Sequence, residues 1–141
     1  MKRYSIRAVS EQLNISKHAL RYYDKIHLLC PTRGENNYRY YTEQDVLDLQ
    51  YVEVMKFAGF SLAEIKKVIS NKRTADQSGL ADTTILLADK KQELERKIDL
   101  YCRIVKLITE AEQVLRQKAD SADVLIVNEM ITRLFKELEI R

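Results

Sequence analysis

Glycine and proline are scarce in this sequence, which has three of the former and one of the latter in 141 residues. Because these two residue types dominate turns and interrupt helices, their scarcity predicts a mainly α-helical protein. No run of about 18 apolar residues, the length needed to cross a membrane, occurs. The first residues also lack the apolar stretch of a signal peptide. The sequence therefore predicts a cytoplasmic protein without a membrane partner.

Only two cysteines and two histidines are present. In the cytosol Cys30 and Cys102 are expected as thiols, and two separated cysteines do not make a metal cluster. No nucleophile–base pair and no glycine-rich loop for phosphates is visible around His18, His27 or elsewhere. We predict that the chain is not an enzyme and uses no metal and no cofactor.

Charge is distributed unevenly along the chain. Residues 1–73 hold 13 Lys and Arg against 8 Asp and Glu, whereas residues 74–141 hold 11 against 13. A net charge of +5 in front and −2 behind indicates an anionic partner for the front half. This imbalance permits nucleic-acid binding without proving it.

A pair of short helices is predicted near the start. Ser5 can cap the first, whose apolar residues are Ile6, Val9 and Leu13, and Asn14 suits a left-handed helix end. Ser16 can cap the second. Two helices separated by three or four residues form a helix-turn-helix.

The second helix should bury Leu20 and Tyr23 on one side. Its outward face then carries three cations, an imidazole and a phenol, at Lys17, His18, Arg21, Tyr22 and Lys25. This mixture suits a phosphate-lined groove with bases at its floor, although an ordinary solvated helix face is the alternative.

A small β-hairpin is predicted over residues 32–41. Gly34, Asn36 and Asn37 are turn formers, and the aromatic run after them has strand propensity. The hairpin would be a wing with Arg33 and Arg39 on its arms. The alternative is an ordinary loop with Tyr38 or Tyr40 packed inward.

Two further helices have strong start signals. Thr42 with Asp45 is a variant capping box, and Ser61 with Glu64 is a full one. The helices behind them are predicted to bury Val46, Leu49, Val52, Met55, Ile65, Val68 and Ile69. Residues 74–79 are small and polar and are the predicted linker, which ends a first domain at residue 73.

Residues 80–119 show a heptad pattern. One unbroken seam is Leu80, Leu87, Leu94, Tyr101, Ile108 and Leu115, and a mixed seam includes Ile98 and Val105. Forty helical residues would extend about 60 Å, too far to be covered by a small domain. We therefore predict a coiled coil with a second copy, the dimer interface being Leu87, Leu94, Ile98, Tyr101, Val105, Ile108 and Leu115. The alternative is a long helix folded back on its own domain.

Residues 120–141 predict a short amphipathic helix. Its apolar residues are Val124, Val127, Met130, Ile131, Leu134, Phe135 and Leu138. The helix would pack on the coiled coil or, alternatively, help to form an effector site in which Met130, Leu134 and Phe135 contact a small hydrophobic ligand.

Residues 4–70 resemble the DNA-binding domain of the MerR family of bacterial transcription regulators. The segments that carry the resemblance are Tyr4-Ser-Ile, Ala19-Leu-Arg-Tyr-Tyr-Asp-Lys-Ile, Asn37-Tyr-Arg-Tyr-Tyr and Gly59-Phe-Ser-Leu-Ala-Glu-Ile-Lys. The second and third blocks are specific in combination. Asn37 and His27 stand where this family often has Gly, and both tolerate left-handed backbone better than most residues.

The resemblance implies a winged helix-turn-helix, an antiparallel coiled-coil homodimer, and sequence-specific binding to a palindromic double-stranded promoter site. It places DNA contacts at Ser16, Lys17, His18, Arg21, Tyr22, Arg39, Tyr41 and Lys56. It further implies that the dimer distorts promoter DNA in response to an effector, so that RNA polymerase can use the promoter. The alternative function is a coiled-coil protein-interaction module whose basic face is incidental.

The sensor chemistries of the family are not visible in this sequence. Metal-responsive members use cysteines near the start of the dimer helix and beyond its end, and the corresponding residues 79–89 and 120–128 contain neither Cys nor His. Val54 occupies the position of the reactive cysteine in the aldehyde- or thiol-responsive branch. Cys30 and Cys102 are therefore expected to be packed or inert thiols rather than switches.

Overall fold

A computed structural model describes residues 2–117 and 121–139. Its elements are β1 (Tyr4–Ser5), α1 (Ile6–Leu13), α2 (Lys17–Lys25), β2 (Thr32–Arg33), β3 (Arg39–Tyr41), α3 (Glu43–Phe57), α4 (Leu62–Thr74), α5 (Gln77–Arg116) and α6 (Ser121–Glu139). The predicted mainly helical architecture with a small wing and one long helix is confirmed. The described residues divide into two compact units, residues 1–90 and 91–141.

The predicted caps form at all four helix starts. The hydroxyl oxygens of Ser5, Ser16, Thr42 and Ser61 each accept a hydrogen bond from the backbone N–H three residues later. Thr42 and Ser61 also close reciprocal capping boxes with the carboxylates of Asp45 and Glu64. Each cap satisfies N–H groups that the helix itself leaves unpaired, so these starts are set locally.

Left-handed backbone marks the ends of several segments. Asn14 (φ 53°), His27 (φ 58°) and Asn37 (φ 60°) adopt it where the sequence predicted turn residues of that kind. Ala75 also adopts it, at φ 54°, as the C-cap of α4. Three of the four residues therefore belong to types that tolerate this conformation, and Ala75 does not.

The break between α4 and α5 is shorter than predicted. It consists of Ala75 and Asp76, whereas Thr74 still belongs to α4 and residues 77–79 already belong to α5. The carboxylate Oδ1 of Asp76 accepts a hydrogen bond of 2.6 Å from the Gly79 N–H, which starts the long helix at once. The linker over residues 74–79, predicted from their small and polar side chains, stays a prediction as a domain boundary, and as a break between helices it is only two residues long. The predicted boundary at residues 119 and 120 lies outside the described residues.

The wing is a three-stranded antiparallel sheet in the order β1-β3-β2. Strand β3 pairs with β2 through Arg33 opposite Arg39, as expected for a hairpin, and also with β1 through Tyr4 opposite Tyr41. The pairing with β1 ties the start of the chain to the wing. The sequence did not indicate this strand.

One core holds the first unit together. Its buried members come from α1, the turn after it, α2, the segment after α2, β3, α3 and α4, and Leu86 of α5 packs against them. All seven residues predicted to be buried on α3 and α4 belong to it. The buried members are Val9, Ile15, Leu20, Tyr23, Leu28, Leu29, Tyr41, Val46, Leu49, Val52, Met55, Ile65, Val68 and Ile69.

A buried charge cluster joins α3 to the end of α4. Asp48, with no exposed surface, accepts hydrogen bonds from Lys72 (2.7 Å), Arg73 (2.9 Å) and Gln44 (2.9 Å). Arg73 also binds Asp45 at 2.9 Å. Although burial alone would raise the pKa of Asp48, the hydrogen bonds from Lys72, Arg73 and Gln44 bring it below its ordinary value. The carboxylate is therefore held in its charged form.

Candidate nucleic-acid interface

Helix α2 presents the predicted recognition face. Leu20 and Tyr23 are buried at 1% and 2% exposure, which fixes the rotation of the helix on the core. The opposite side chains are exposed and form no hydrogen bond or ion pair within residues 2–117 and 121–139. These side chains are Lys17, His18, Arg21 and Tyr22.

Ser16 lies at the start of this face and is exposed. Its hydroxyl oxygen accepts from the Ala19 N–H at 3.0 Å, so it is already used as the cap of α2. The hydroxyl proton stays available as a donor, because a hydroxyl has one O–H as well as acceptor lone pairs. Ser16 can therefore cap the helix and donate to an anion at the same time.

The predicted residues from two elements meet at one surface cavity. A cavity of about 500 Å³ is lined by His18, Ala19 and Tyr22 of α2, by Tyr23 beneath them, and by Lys56 of α3 with Phe60 and Leu62. His18 and Lys56 are 38 positions apart in the sequence. The structure thus brings together three of the predicted DNA contacts, His18, Tyr22 and Lys56.

Lys56 is held by a network that the sequence did not reveal. Its Nζ donates to the Tyr23 hydroxyl at 2.8 Å, and that hydroxyl donates to Glu53 Oε1 at 3.1 Å. Tyr23 therefore has a buried ring and a polar tip at the cavity. The hydrogen bond with Tyr23 raises the pKa of Lys56, so its ammonium group stays charged. Desolvation raises the pKa of Tyr23, which keeps the phenol protonated as a donor.

The turn of the wing is closed by backbone and side-chain bonds. Asn37 N–H donates to the Gly34 carbonyl at 2.9 Å, and Gly34 N–H donates to the Tyr38 carbonyl at 3.0 Å. A β-carbon at Gly34 would lie 2.3 Å from the ring of Tyr40, so that ring covers the position. The sequence allowed either Tyr38 or Tyr40 to pack inward. In the structure Tyr40 is partly buried, whereas Tyr38 is exposed.

Tyr41 does not belong to the interface. It is 1% exposed and lies in the core of the first unit, so the prediction of a DNA contact by this residue was wrong. Side chains alternate between the faces of a strand, and pairing with Tyr4 turns Tyr41 inward. Its hydroxyl finds no hydrogen-bond partner among the described residues, and burial raises its pKa to about 12.

Arg39 and Arg33 both contact the recognition helix. Asp24 Oδ2 accepts from Arg39 Nε at 2.9 Å and from Arg33 Nη2 at 3.4 Å. Arg33 Nη1 also donates to the Asn37 carbonyl at 2.9 Å. One carboxylate on α2 therefore connects to both arms of the wing. The sequence showed Asp24 only as the single acid beside a basic face.

Helix α5 carries an exposed apolar stripe. Of the seven residues predicted for the dimer interface, six are at least 48% exposed, and Leu94 is half-buried. Leu100 and Leu107 are buried in the same helix, so it turns a different face to its own chain. The exposed six are Leu87, Ile98, Tyr101, Val105, Ile108 and Leu115.

A smaller cavity lies between α5 and α6. Its volume is about 180 Å³, and Met130 and Leu134 line it together with Arg103, Lys106, Arg133 and Glu137. Arg103 forms ion pairs with Glu137 and Asp99. Two of the three residues predicted for an effector thus meet here, whereas Phe135 is 57% exposed and is not part of the lining. The lining is more cationic than a site for a purely hydrophobic ligand requires.

Neither a metal site nor a membrane-spanning helix occurs among the described residues. Within the described residues, no three His, Cys, Asp or Glu side chains are grouped so that they could hold a metal ion. None of the described helices is both long enough and apolar enough to span a membrane.

The sequence was then compared with known proteins. The profile of the family described as MerR HTH family regulatory protein matches residues 4–72. The transcriptional regulator HmrR of Rhizobium leguminosarum bv. viciae is 32% identical over 67% of this chain and 72% of its own length. The mercuric resistance operon regulatory protein of Bacillus cereus is 26% identical over 93% of this chain and 99% of its own. The chain spans 40% of the length of the Bacillus subtilis multidrug-efflux transporter 1 regulator, at 28% identity over 83% of this chain.

Two solved structures resemble this fold. A MerR family transcriptional regulator from Bacillus cereus has a TM-score of 0.61 at 27% identity, covering 96% of this chain and 99% of its own. HiNmlR, a MerR family regulator that lacks the sensor domain and is bound to promoter DNA, has a TM-score of 0.69 at 22% identity, covering 84% of this chain and 97% of its own. The second likeness concerns the fold alone.

Proposed function

Since this chain belongs to the MerR family and is a DNA-binding transcription regulator, we propose that it binds a palindromic promoter site as a homodimer and distorts the DNA in response to an effector. Helix α2 would read base edges in the major groove, and the wing and Lys56 would contact phosphates. The observation that supports this most is the common cavity lined by His18, Tyr22 and Lys56. On one exposed face, His18 and Tyr22 supply hydrogen-bonding groups and aromatic surfaces, and Lys56 supplies a positive charge. A protein that binds a phosphate-lined groove requires such groups.

The apolar stripe of α5 supports the dimer. Exposed apolar side chains that recur at heptad spacing are covered in coiled coils by the same side chains of a second helix. In the antiparallel arrangement that we propose, two copies would place their recognition helices on two half-sites, and half-site spacing would follow from the dimer geometry. The protein would act in the cytoplasm on promoters that RNA polymerase uses, without being an enzyme.

Distortion of DNA would connect binding to regulation. Bending or untwisting a promoter costs free energy, and the cost depends on the DNA sequence. A dimer that can hold the promoter in two different shapes can therefore change how well RNA polymerase uses that promoter. An effector shifts the balance between those shapes only if it binds one protein arrangement better than the other. We place this effector in the second unit, at the cavity lined by Met130 and Leu134.

The cavity between α5 and α6 is too small and too cationic for the purely hydrophobic effector that the sequence predicted. Lys106 and Arg133 line the cavity and form no ion pair with any side chain that the structure describes. A volume of about 180 Å³ is also below the roughly 300 Å³ of ordinary small-molecule sites. The proposed ligand is therefore a small compound with an apolar part and a negative charge. Truncation before Asp123 should abolish the response in a promoter reporter while DNA binding in vitro persists, and a response that survives truncation would contradict this site.

DNA binding is tested by titrating the protein with random duplex DNA at several salt concentrations and with DNA selected from its own genome. Phosphate contacts predict that the logarithm of the affinity falls linearly with the logarithm of salt, at about 0.9 per neutralised phosphate. The selected DNA should contain a palindrome and bind at least about a thousandfold more tightly than random DNA. An affinity that does not depend on salt would instead support the alternative, a coiled-coil interaction module with an incidental basic face.

A further inference from the structure

A single carboxylate on the recognition helix binds both arms of the wing. Asp24, the penultimate residue of α2, is 19% exposed in its side chain, and Arg39 is 23% exposed. Their bond of 2.9 Å is a charge-assisted hydrogen bond in a partly desolvated place, where such contacts are stronger than at an open surface. Arg33, 42% exposed, contributes a longer contact of 3.4 Å from the opposite strand.

This contact links the wing to α2, in addition to the pairing with β1 and the burial of Tyr41 that hold β3 on the core. The turn at residues 34–37 fixes the wing internally, but neither of its two main-chain bonds reaches α2. The bonds from Arg33 and Arg39 to Asp24 do reach α2 and cross 9 and 15 positions of the sequence. They tie the two parts of the molecule that would contact the same DNA duplex.

The contact also leaves donors for DNA. A guanidinium has five N–H groups, and Arg39 uses only its Nε–H for Asp24. Its terminal nitrogens make no hydrogen bond within the described part of the chain. Arg39 can therefore be held by Asp24 and bind a phosphate with its remaining donors.

Asp24 reduces the local positive charge at the same time. Random DNA is bound almost entirely through its phosphates, so binding to it responds mainly to charge. An operator is bound through charge and through correctly placed donors together. A carboxylate that lowers charge and fixes geometry therefore weakens random binding more than operator binding.

We propose that Asp24 is a positioning residue that determines specificity, because it holds the wing arginines for operator DNA and offsets their attraction for other DNA. This inference rests on the DNA-binding function proposed above. It assigns to an acidic residue beside the recognition face a role in discrimination between DNA sequences.

The decisive variant is Asp24→Asn, which keeps the size of the side chain and one acceptor oxygen. Its affinity for random duplex DNA should rise about two- to fivefold, with a salt dependence steeper by about 0.9, because one net charge is added at the interface. The ratio of operator to random affinity should fall about three- to tenfold. If Asp24 only stabilises the fold, both affinities fall in proportion and the slope stays unchanged, which would overturn the proposal.

Glu11→Gln is the matched control. Glu11 also binds an arginine, Arg7 at 3.1 Å, and lies in the same unit but outside α2 and the wing. The substitution changes net charge equally and should leave the affinity ratio within about twofold of the wild type. An equal fall of the ratio in both variants would show an effect of net charge alone and would overturn the role of Asp24.

Asp24→Glu separates the effect of the charge from the effect of its position. This variant also tests the proposal if Asp24→Asn fails to fold. It retains the negative charge but moves the carboxylate, so the salt slope should remain at the wild-type value while the affinity ratio falls. A slope as steep as that expected for Asp24→Asn would contradict the charge argument. Wild-type protein without salt-dependent DNA binding would instead overturn the DNA-binding function itself, which distinguishes the two failures.

Discussion

The two units of this molecule use apolar side chains in different ways. In residues 1–90, fourteen apolar side chains form one closed core, and the buried Asp48 is paired with Lys72 and Arg73. In the described part of residues 91–141, Leu100 and Leu107 are the buried ones, and most other apolar side chains of α5 and α6 are exposed. The core of the first unit is covered when one chain folds, whereas α5 leaves an apolar stripe exposed to water.

This difference separates two kinds of mutation. A change inside the first unit should act on the free energy of unfolding and on DNA contacts within one chain. A change on the α5 stripe should act on association and reach DNA only indirectly, because a palindrome requires two recognition helices. The following predictions test that division.

The largest effect is expected from a double substitution on the stripe, Leu94→Glu with Ile108→Glu. Two buried charges in each helix of a coiled coil oppose its association, so the protein should become monomeric by light scattering. Operator affinity should fall about a thousandfold or more, towards the level of random DNA.

Gln92→Glu with Gln113→Glu adds the same charge at exposed positions of the same helix beside the stripe. This control should remain dimeric. A Leu94 and Ile108 double variant that still scatters light as a dimer would rule out the coiled-coil assignment.

Asp48→Asn should destabilise the first unit by about 2–4 kcal/mol, because it removes the buried charge that pairs with Lys72 and leaves Arg73 with Asp45 alone. The folded pKa of Asp48 lies below its unfolded value. Its contribution to stability is thus fully present above the unfolded pKa, near 4, and is lost as the pH falls through the folded pKa. The free energy of unfolding, measured with urea at several pH values, should fall less steeply towards acidic pH in the variant than in the wild type.

The control for Asp48 is Asp82→Asn. Asp82 pairs with Lys67 at 3.8 Å, and both side chains are more than half exposed. Its loss should cost less than about 1 kcal/mol. Equal losses in the two variants would mean that the buried cluster does not stabilise the unit more than a surface pair does.

Substitutions on α2 should have smaller effects on DNA affinity, and these effects should differ between operator DNA and random DNA. Arg21→Ala should cost about 1–3 kcal/mol on the operator and less on random DNA, if the side chain contacts a base. Lys17→Ala should weaken all DNA alike and lower the salt slope by about one, as a phosphate contact does. Equal losses on specific and random DNA for every such variant would show that α2 does not read bases.

The smallest effect is expected from Cys30→Ala with Cys102→Ala. Desolvation raises the pKa of Cys30, which lowers the fraction of reactive thiolate, although the thiol lies 3.6 Å from His27 Nδ1. The double variant should respond to the natural signal in a promoter reporter as the wild type does. Loss of induction with intact DNA binding would identify a thiol sensor instead.

Local chemistry explains which features could be predicted from the sequence. Thr42 with Asp45 and Ser61 with Glu64 act over three residues, and asparagine, as at positions 14 and 37, tolerates left-handed backbone better than most residues. Such signals are complete within a few positions. The outward face of α2 was predictable for the same reason, since helical spacing alone sets it.

Long-range pairing explains what was missed. Strand β1 has two residues and gains its structure from pairing with β3, where Tyr41 lies 37 positions after its partner Tyr4. The same pairing decides that Tyr41 points inward, which a three-residue strand does not reveal by itself. The partners of Asp24 and Lys56 likewise come from other elements, so neither contact has a sequence pattern.

Ala75 has a consequence for how this sequence can change over evolutionary time. A left-handed alanine costs roughly 1–2 kcal/mol, which glycine at this position would remove. Glycine would in turn give the unfolded chain more freedom, at a cost of about 0.5–1 kcal/mol. The first term is about twice the second, so Ala75→Gly should on balance make the fold slightly more stable. Selection for stability alone would therefore favour glycine here, and alanine keeps the junction between α4 and α5 stiffer than stability requires.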